Sequence, residues 1–162
     1  KNRDWERLKM IAKLDSRIKI IEEDLDHNEL INLYGCCDVL LSLHRSEGFG
    51  RIIAECIQLG LEIITTDWGG NTDFCSSKFI HLVPYDLIEV LPGTYPYWQG
   101  QTWAEPDLDK AAKDMMEIYQ GKRLNSEKNR IFVKRLLSKE KCGNRYKNRL
   151  KEIINNLSNK KV

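Results

Sequence analysis

At 162 residues the chain has the length of one domain with a real core, and a second full domain does not fit. Its net charge of +2 sets no overall bias toward strongly anionic partners. No apolar run approaches the ~18 residues of a membrane span, and no charged-then-apolar leader is present, so neither a spanning helix nor a signal peptide is expected.

Helical apolar spacing at Trp5, Leu8, Ile11 and Leu14 predicts a helix over 4–14, and Ile18 to Ile21 reads as a short strand. Asp26 or Asn28 is placed to cap a helix running through Cys37. The run Val39 to Leu43 predicts a buried strand, and a helix over 51–59 should stop at Gly60. Leu61 to Thr66 reads as the next buried strand. Gly69 and Gly70 then make a turn, followed by a short helix around Phe74 and a strand from Phe79 to Val83. Residues 92–106 hold Pro92, Pro96 and Pro106 with Tyr95, Tyr97, Trp98 and Trp103, and read as an ordered surface loop whose aromatics pack on the core or stack on sugars. A helix over 107–119 follows. Two amphipathic helices close the chain, one around Ile131 to Leu137 and one carrying Tyr146, Leu150, Ile153, Ile154 and Leu157 on a face. Strands alternating with helices predict an α/β fold, a parallel sheet with helices on both faces. Ligands of such sheets bind beyond the carboxyl ends of the strands, so the turns at 44–50 and 67–71 should share one rim.

The most specific stretch is Ser46-Glu47-Gly48-Phe49-Gly50-Arg51-Ile52-Ile53-Ala54-Glu55, two acids seven residues apart with a Gly-Phe-Gly hinge after the first. The hinge lies where a strand turns into a helix. Free N–H groups at a helix N-terminus attract anions, and glycines let a ligand approach the main chain. Taken alone, Glu47 is an acid favoured by the helix dipole, at about 0.3–1 kcal/mol, and Glu55 is a solvated helix position. Yet Glu55 stands among Ile52, Ile53, Ala54, Cys56 and Ile57, where an acid needs a partner.

This stretch resembles the retaining glycosyltransferases of the GT-B fold, family 4 in particular, whose signature is a Glu-x7-Glu element with Gly-Phe-Gly after the first Glu. Similarity continues through Leu33-Tyr34-Gly35-Cys36-Cys37-Asp38-Val39, Ile63-Ile64-Thr65-Thr66-Asp67-Trp68-Gly69-Gly70 and Trp103-Ala104-Glu105-Pro106. The resemblance is to the C-terminal, donor-binding half of such an enzyme, a Rossmann-like sheet. It implies one donor domain over 1–162, with 121–162 as a basic helical extension. It also implies that the first strand–helix unit, with its Arg and Lys for the diphosphate, and the N-terminal acceptor domain are missing. The opening at Lys1 rather than Met fits a boundary inside a longer protein.

The roles implied are specific. Glu47 is the catalytic residue beside the transferred sugar, where it accepts hydrogen bonds from the sugar hydroxyls and helps stabilise positive charge at the anomeric carbon. Glu55 accepts the ribose hydroxyls of a nucleoside-diphosphate sugar, and Gly48, Phe49 and Gly50 present N–H groups to the sugar and distal phosphate. Gly69, Gly70 and Asn71 match the family's second glycine turn, which closes over the donor sugar; an ordinary Gly-Gly-Asn turn is the plainer reading. His44, at the strand's end, is in place to touch sugar or diphosphate, or it is a surface-turn residue. Arg51 pairs either with phosphate or with a nearby acid. The resemblance implies retention of anomeric configuration without a bound metal and with no cofactor beyond the donor substrate. No D-x-D element is present, and His27, His44 and His81 are far apart in sequence. The expected activity is sugar transfer to a hydroxyl of a glycan or lipid-linked acceptor in polysaccharide assembly, with this segment inactive alone. The alternative is a non-catalytic nucleotide-sugar binding module.

Five cysteines, Cys36, Cys37, Cys56, Cys75 and Cys142, make an odd set without a C-x-x-C pair and read as buried reduced thiols of a cytoplasmic protein. Charge is uneven: residues 121–162 hold 14 Lys and Arg against 3 Asp and Glu, a balance of +11. This basic tail is expected to dock on the missing acceptor domain or to contact anionic lipid at the membrane's inner face. No nucleic-acid motif accompanies the charge.

Overall fold

The computed structural model describes residues 3–124 and 126–159. Lys1 and the last three residues of the basic segment lie outside the described residues. The chain divides into two compact units, the first ending at Asn32 and the second beginning at Leu33.

The first unit opens with helix α1 (Arg3–Leu14), in which Lys9 pairs with Glu6 at 3.9 Å. Lys9 also reaches Glu22, at 3.5 Å, and lies over the Trp5 ring, 5.3 Å from its centroid. The strand expected at Ile18 to Ile21 is absent: this stretch is irregular, and Ile18 and Ile21 are exposed. An apolar run becomes a strand only beside a partner that takes its ladder hydrogen bonds, and none is bonded here. Helix α2 (His27–Gly35) starts with a reciprocal cap. Asp26 Oδ1 accepts from the Asn28 and Glu29 N–H groups, while Glu29 Oε2 accepts from the Asp26 N–H. Asp26 is therefore the cap, and the helix ends at Gly35, two residues before the expected Cys37.

In the second unit, strands β1 (Val39–Ser42), β2 (Glu62–Thr66) and β3 (His81–Val83) form a parallel sheet in the order β1-β2-β3. Leu40 pairs with Ile63, and Ile64 with His81. Every residue of β2 is buried, as suits the central strand. β1 departs from the buried strand expected: it is an edge, with Leu41 exposed. Neighbouring residues of a strand face opposite sides, so Ile63 and Ile64 anchor different cores. Ile63 joins Ile53, Ile57 and Phe74 with Val133, which brings helices α3 (Arg51–Leu59) and α5 (Ser126–Leu136) to one face. Ile64 joins Val83 with Ala111 and Ile118 of helix α4 (Leu108–Tyr119) on the other. The molecule is thus mixed α/β with a three-stranded parallel sheet.

The loop expected over 92–106 is corrected at its end. Strand β5 (Thr102–Pro106) pairs antiparallel with β4 (Tyr85–Glu89), in register from Tyr85↔Pro106 to Glu89↔Thr102. Pro106 takes the terminal position, where a missing N–H does least harm to a ladder. Helix α6 (Lys139–Asn159) follows α5, and its Tyr146, Leu150, Ile153, Ile154 and Leu157 are all exposed. Among the described residues no helix is long and apolar enough to cross a membrane.

The cysteine expectation holds in part: Cys56 and Cys75 are buried, but Cys36 and Cys37 are exposed. The early end of α2 explains this, since both follow the helix rather than facing a core. A buried network the sequence did not announce joins α4 to β3. Asp114 is held by Lys110 and lies 3.4 Å from His81 Nδ1.

Candidate functional site

The hinge stands between β1 and α3 because the backbone there needs glycine. Gly50 takes φ 87°, in the left-handed region, and opens α3 without any side-chain cap. A Cβ on Gly50 would press on Ile53 Cδ1 at 3.1 Å and Asn71 Cβ at 3.2 Å. At the far end Gly60, φ 92°, closes the helix by donating to the Cys56 and Ile57 carbonyls.

The turns at 44–50 and 67–71 meet, as their common rim requires. The Gly70 N–H donates to the Glu47 carbonyl at 2.8 Å. A Cβ on Gly70 would fall on the Gly48 carbonyl oxygen and lie 2.9 Å from Phe49 Cα. One on Gly69, φ 94°, would come within 2.5 Å of the Glu47 carbonyl oxygen. Both glycines are thus required by backbone-to-backbone approach, which no side chain can replace. Gly48 is the opposite case, exposed and with nothing within 4 Å of where a Cβ would go. The rim is packed from below by Gly69 and Gly70 and open above Gly48.

Glu47 is half-buried, and its Oε1 accepts from the Phe49 N–H at 3.3 Å. Phe49 is exposed on one side and rests on the buried Phe74, with ring centroids 5.2 Å apart. Asn71 is fully buried; its Nδ2 donates to the Thr66 carbonyl at 3.0 Å, which ties the second turn to the end of β2. Asn71 Oδ1 is buried without a partner. In this arrangement Asn71 supports the rim from beneath and does not line it.

His44 is similarly engaged. Its Nε2 lies 2.8 Å from the Trp68 carbonyl, and its Nδ1 3.3 Å from the Ser42 hydroxyl. A carbonyl only accepts, so Nε2 carries the proton. The Thr66 hydroxyl also donates to the His44 carbonyl, at 2.8 Å. Neither ring nitrogen is left over for a ligand; the residue joins the strand ends. Arg51 pairs with Glu55 at 3.6 Å, the second of its two expected partners. The Arg51 side chain is 80% exposed and Glu55 21%, so this ion pair is weak and readily exchanged. Tyr34 stands near the same carboxylate. Its phenol is pushed up first by burial, with the Cys56 and Glu55 charges adding.

A set of contacts not foreseen from the sequence fixes the start of the hinge. Arg45 makes a two-point ion pair with Glu105, Nη2 to Oε1 at 2.8 Å and Nε to Oε2 at 2.6 Å. Its guanidinium lies 4.8 Å from the Trp103 ring centroid, and its carbonyl accepts from the Ala104 N–H at 3.0 Å. Trp103 and Glu105 are two apart on β5 and share a face, so one arginine reaches both. A reading of residues 92–106 as loop loses this alternation.

The sheet's rim therefore offers an uncapped helix N-terminus, a glycine hinge open to solvent, and carboxylates at Glu47 and Glu55. Such a surface suits an anion approached through main-chain N–H groups, with a carboxylate beside it for hydroxyls. Comparison with models of known protein families and with curated proteins finds no match for this chain.

Proposed function

We propose that this chain is the donor-binding unit of a retaining, metal-independent glycosyltransferase of the GT-B class, with a Rossmann-like sheet, acting on a nucleoside-diphosphate sugar. The reading is carried by one observation: the Gly48–Gly50 hinge is locked from below by Gly69 and Gly70 yet left open above Gly48. A helix N-terminus held this way meets the charge that develops on a departing diphosphate, and needs no reorganisation to do so.

The residues take these parts. Gly48, Phe49 and Gly50 present the backbone to phosphate and sugar, and Glu47 lies one residue away to oppose positive charge at the anomeric carbon. Glu55 exchanges its exposed Arg51 partner for the two ribose hydroxyls. The acceptor hydroxyl arrives from a partner domain, to which the exposed apolar face of α6 is suited. Contact of the same basic helix with anionic lipid is the second use of that face.

Backbone-amide NMR of the chain, titrated with UDP, GDP, ADP and their sugar conjugates, tests the proposal. Shifts are expected at 48–55 and 69–71, with Glu55→Ala weakening binding and Gly48→Ala blocking approach without loss of stability. Silence of these amides with every nucleotide at millimolar concentration overturns the donor assignment; shifts unaltered by Glu55→Ala remove its ribose role.

A further inference from the structure

Ser46, just before the hinge, lines a cavity of about 340 Å³ together with residues of the β4–β5 hairpin. Its lining includes Ser46, Tyr95, Tyr97, Gln101, Thr102 and Trp103, and no charged residue contributes. We propose that this cavity binds a neutral saccharide, the sugar of the acceptor, beside Glu47. The word acceptor rests on the glycosyltransferase reading; the saccharide site itself does not.

The lining chemistry selects the ligand. Three aromatic rings with one amide and two hydroxyl side chains match a pyranose, which has apolar C–H faces and a rim of hydroxyls. A phosphate would find no cation in this lining, and the neighbouring Arg45 is taken up by Glu105 and the Trp103 face. The volume lies within the range of small-molecule sites.

One feature of the wall lacks a structural purpose without a ligand. Tyr97 is 89% exposed and, among the described residues, is the one non-glycine residue with positive φ, 56°. Holding a tyrosine in left-handed backbone is strained, and here it presents the ring to solvent rather than to the core.

Position completes the argument. Ser46 walls the cavity, Glu47 follows, and Gly48 begins the open hinge, so two consecutive Cα steps of about 3.8 Å separate the saccharide wall from the donor cradle. A sugar seated among Tyr95, Tyr97 and Trp103 lies against Ser46, the residue that precedes Glu47.

The test titrates the chain with methyl α-D-glucopyranoside, methyl α-D-mannopyranoside, N-acetylglucosamine and maltose, following amides 95–103 and the Trp103 indole N–H. At least one is expected to shift them. Tyr97→Gly relieves the backbone strain, so it should keep or raise the melting temperature while lowering saccharide affinity at least tenfold. Nucleotide shifts at 48–55 should be unchanged in that variant. Saccharides silent while nucleotides shift the hinge overturns this site and leaves the donor reading. Saccharide shifts with nucleotides silent keeps the site and removes the word acceptor. Uridine, guanosine or adenosine shifting 95–103 more strongly than any sugar overturns it in favour of a base pocket, and saccharide affinity unchanged in Tyr97→Gly overturns it as well.

Discussion

Replacing Gly70 with alanine puts the interlock of the two glycine turns to a direct test. The added methyl would overlap the Gly48 carbonyl and lie 2.6 Å from its carbon and 2.9 Å from Phe49 Cα. All are backbone atoms of the hinge, so no side-chain rotation relieves the clash. Forcing a methyl into packed structure costs about 1–3 kcal/mol. If the turns part, the 2.8 Å Gly70–Glu47 hydrogen bond is lost too, worth about 1 kcal/mol. Together the penalty is roughly 2–4 kcal/mol. For a chain this long each kcal/mol moves the melting temperature by about 2–4 °C, so thermal denaturation should show a fall of roughly 4–16 °C. Gly48→Ala is the control: its methyl meets open space, so stability should stay within about 0.5 kcal/mol. Amide spectra should place the Gly70→Ala perturbation at 46–50. Equal stability of the two variants, or a larger loss for Gly48→Ala, refutes the interlock.

Other outcomes follow from burial and charge. Glu62 is buried, and burial raises its carboxyl above the usual value, against smaller lowering by the Leu124 N–H, His81 and Arg123. The folded state therefore holds its proton to higher pH than the unfolded chain, and stability falls as pH rises from 4.5 through the raised value. Glu62→Gln should flatten that component and stabilise the protein at neutral pH, read by denaturant melts across pH; an unchanged slope refutes it. Burial pushes Cys56 up to about 11 and Cys75 up to about 12, so a thiol reagent at neutral pH should label exposed Cys36 and Cys37 first and spare those two until the chain unfolds; mapping the labelled peptides decides it. Asp114→Ala strips His81 and Lys110 of a buried partner and should cost about 3 kcal/mol in chemical denaturation. Arg45→Ala should loosen β5 from the hinge, seen as faster amide exchange at Ala104 with the 62–66 strand unaffected.

What sequence alone determined here is what depends on neighbours along the chain. Apolar periodicity located α1, α3, α4, α5 and α6, Gly60 stopped α3, and the run Leu61 to Thr66 placed the central strand, because propensity, caps and patterning act over a few residues. The Glu-x7-Glu hinge was legible for the same reason. Tertiary structure decided whatever needs a partner remote in sequence. Ile18 to Ile21 failed as a strand for want of one, Thr102 to Pro106 became a strand because Tyr85 to Glu89 supplied one, and Leu41 is exposed because β1 has a neighbour on one side only. His44, Asn71 and Arg51 carry polar atoms that suited a ligand equally well in sequence. Packing gave them to the Trp68 carbonyl, the Thr66 carbonyl and Glu55, since a polar group with a protein partner in reach bonds it when folded. Arg45 and Glu105 stand 60 residues apart, and only the fold brings their charges together.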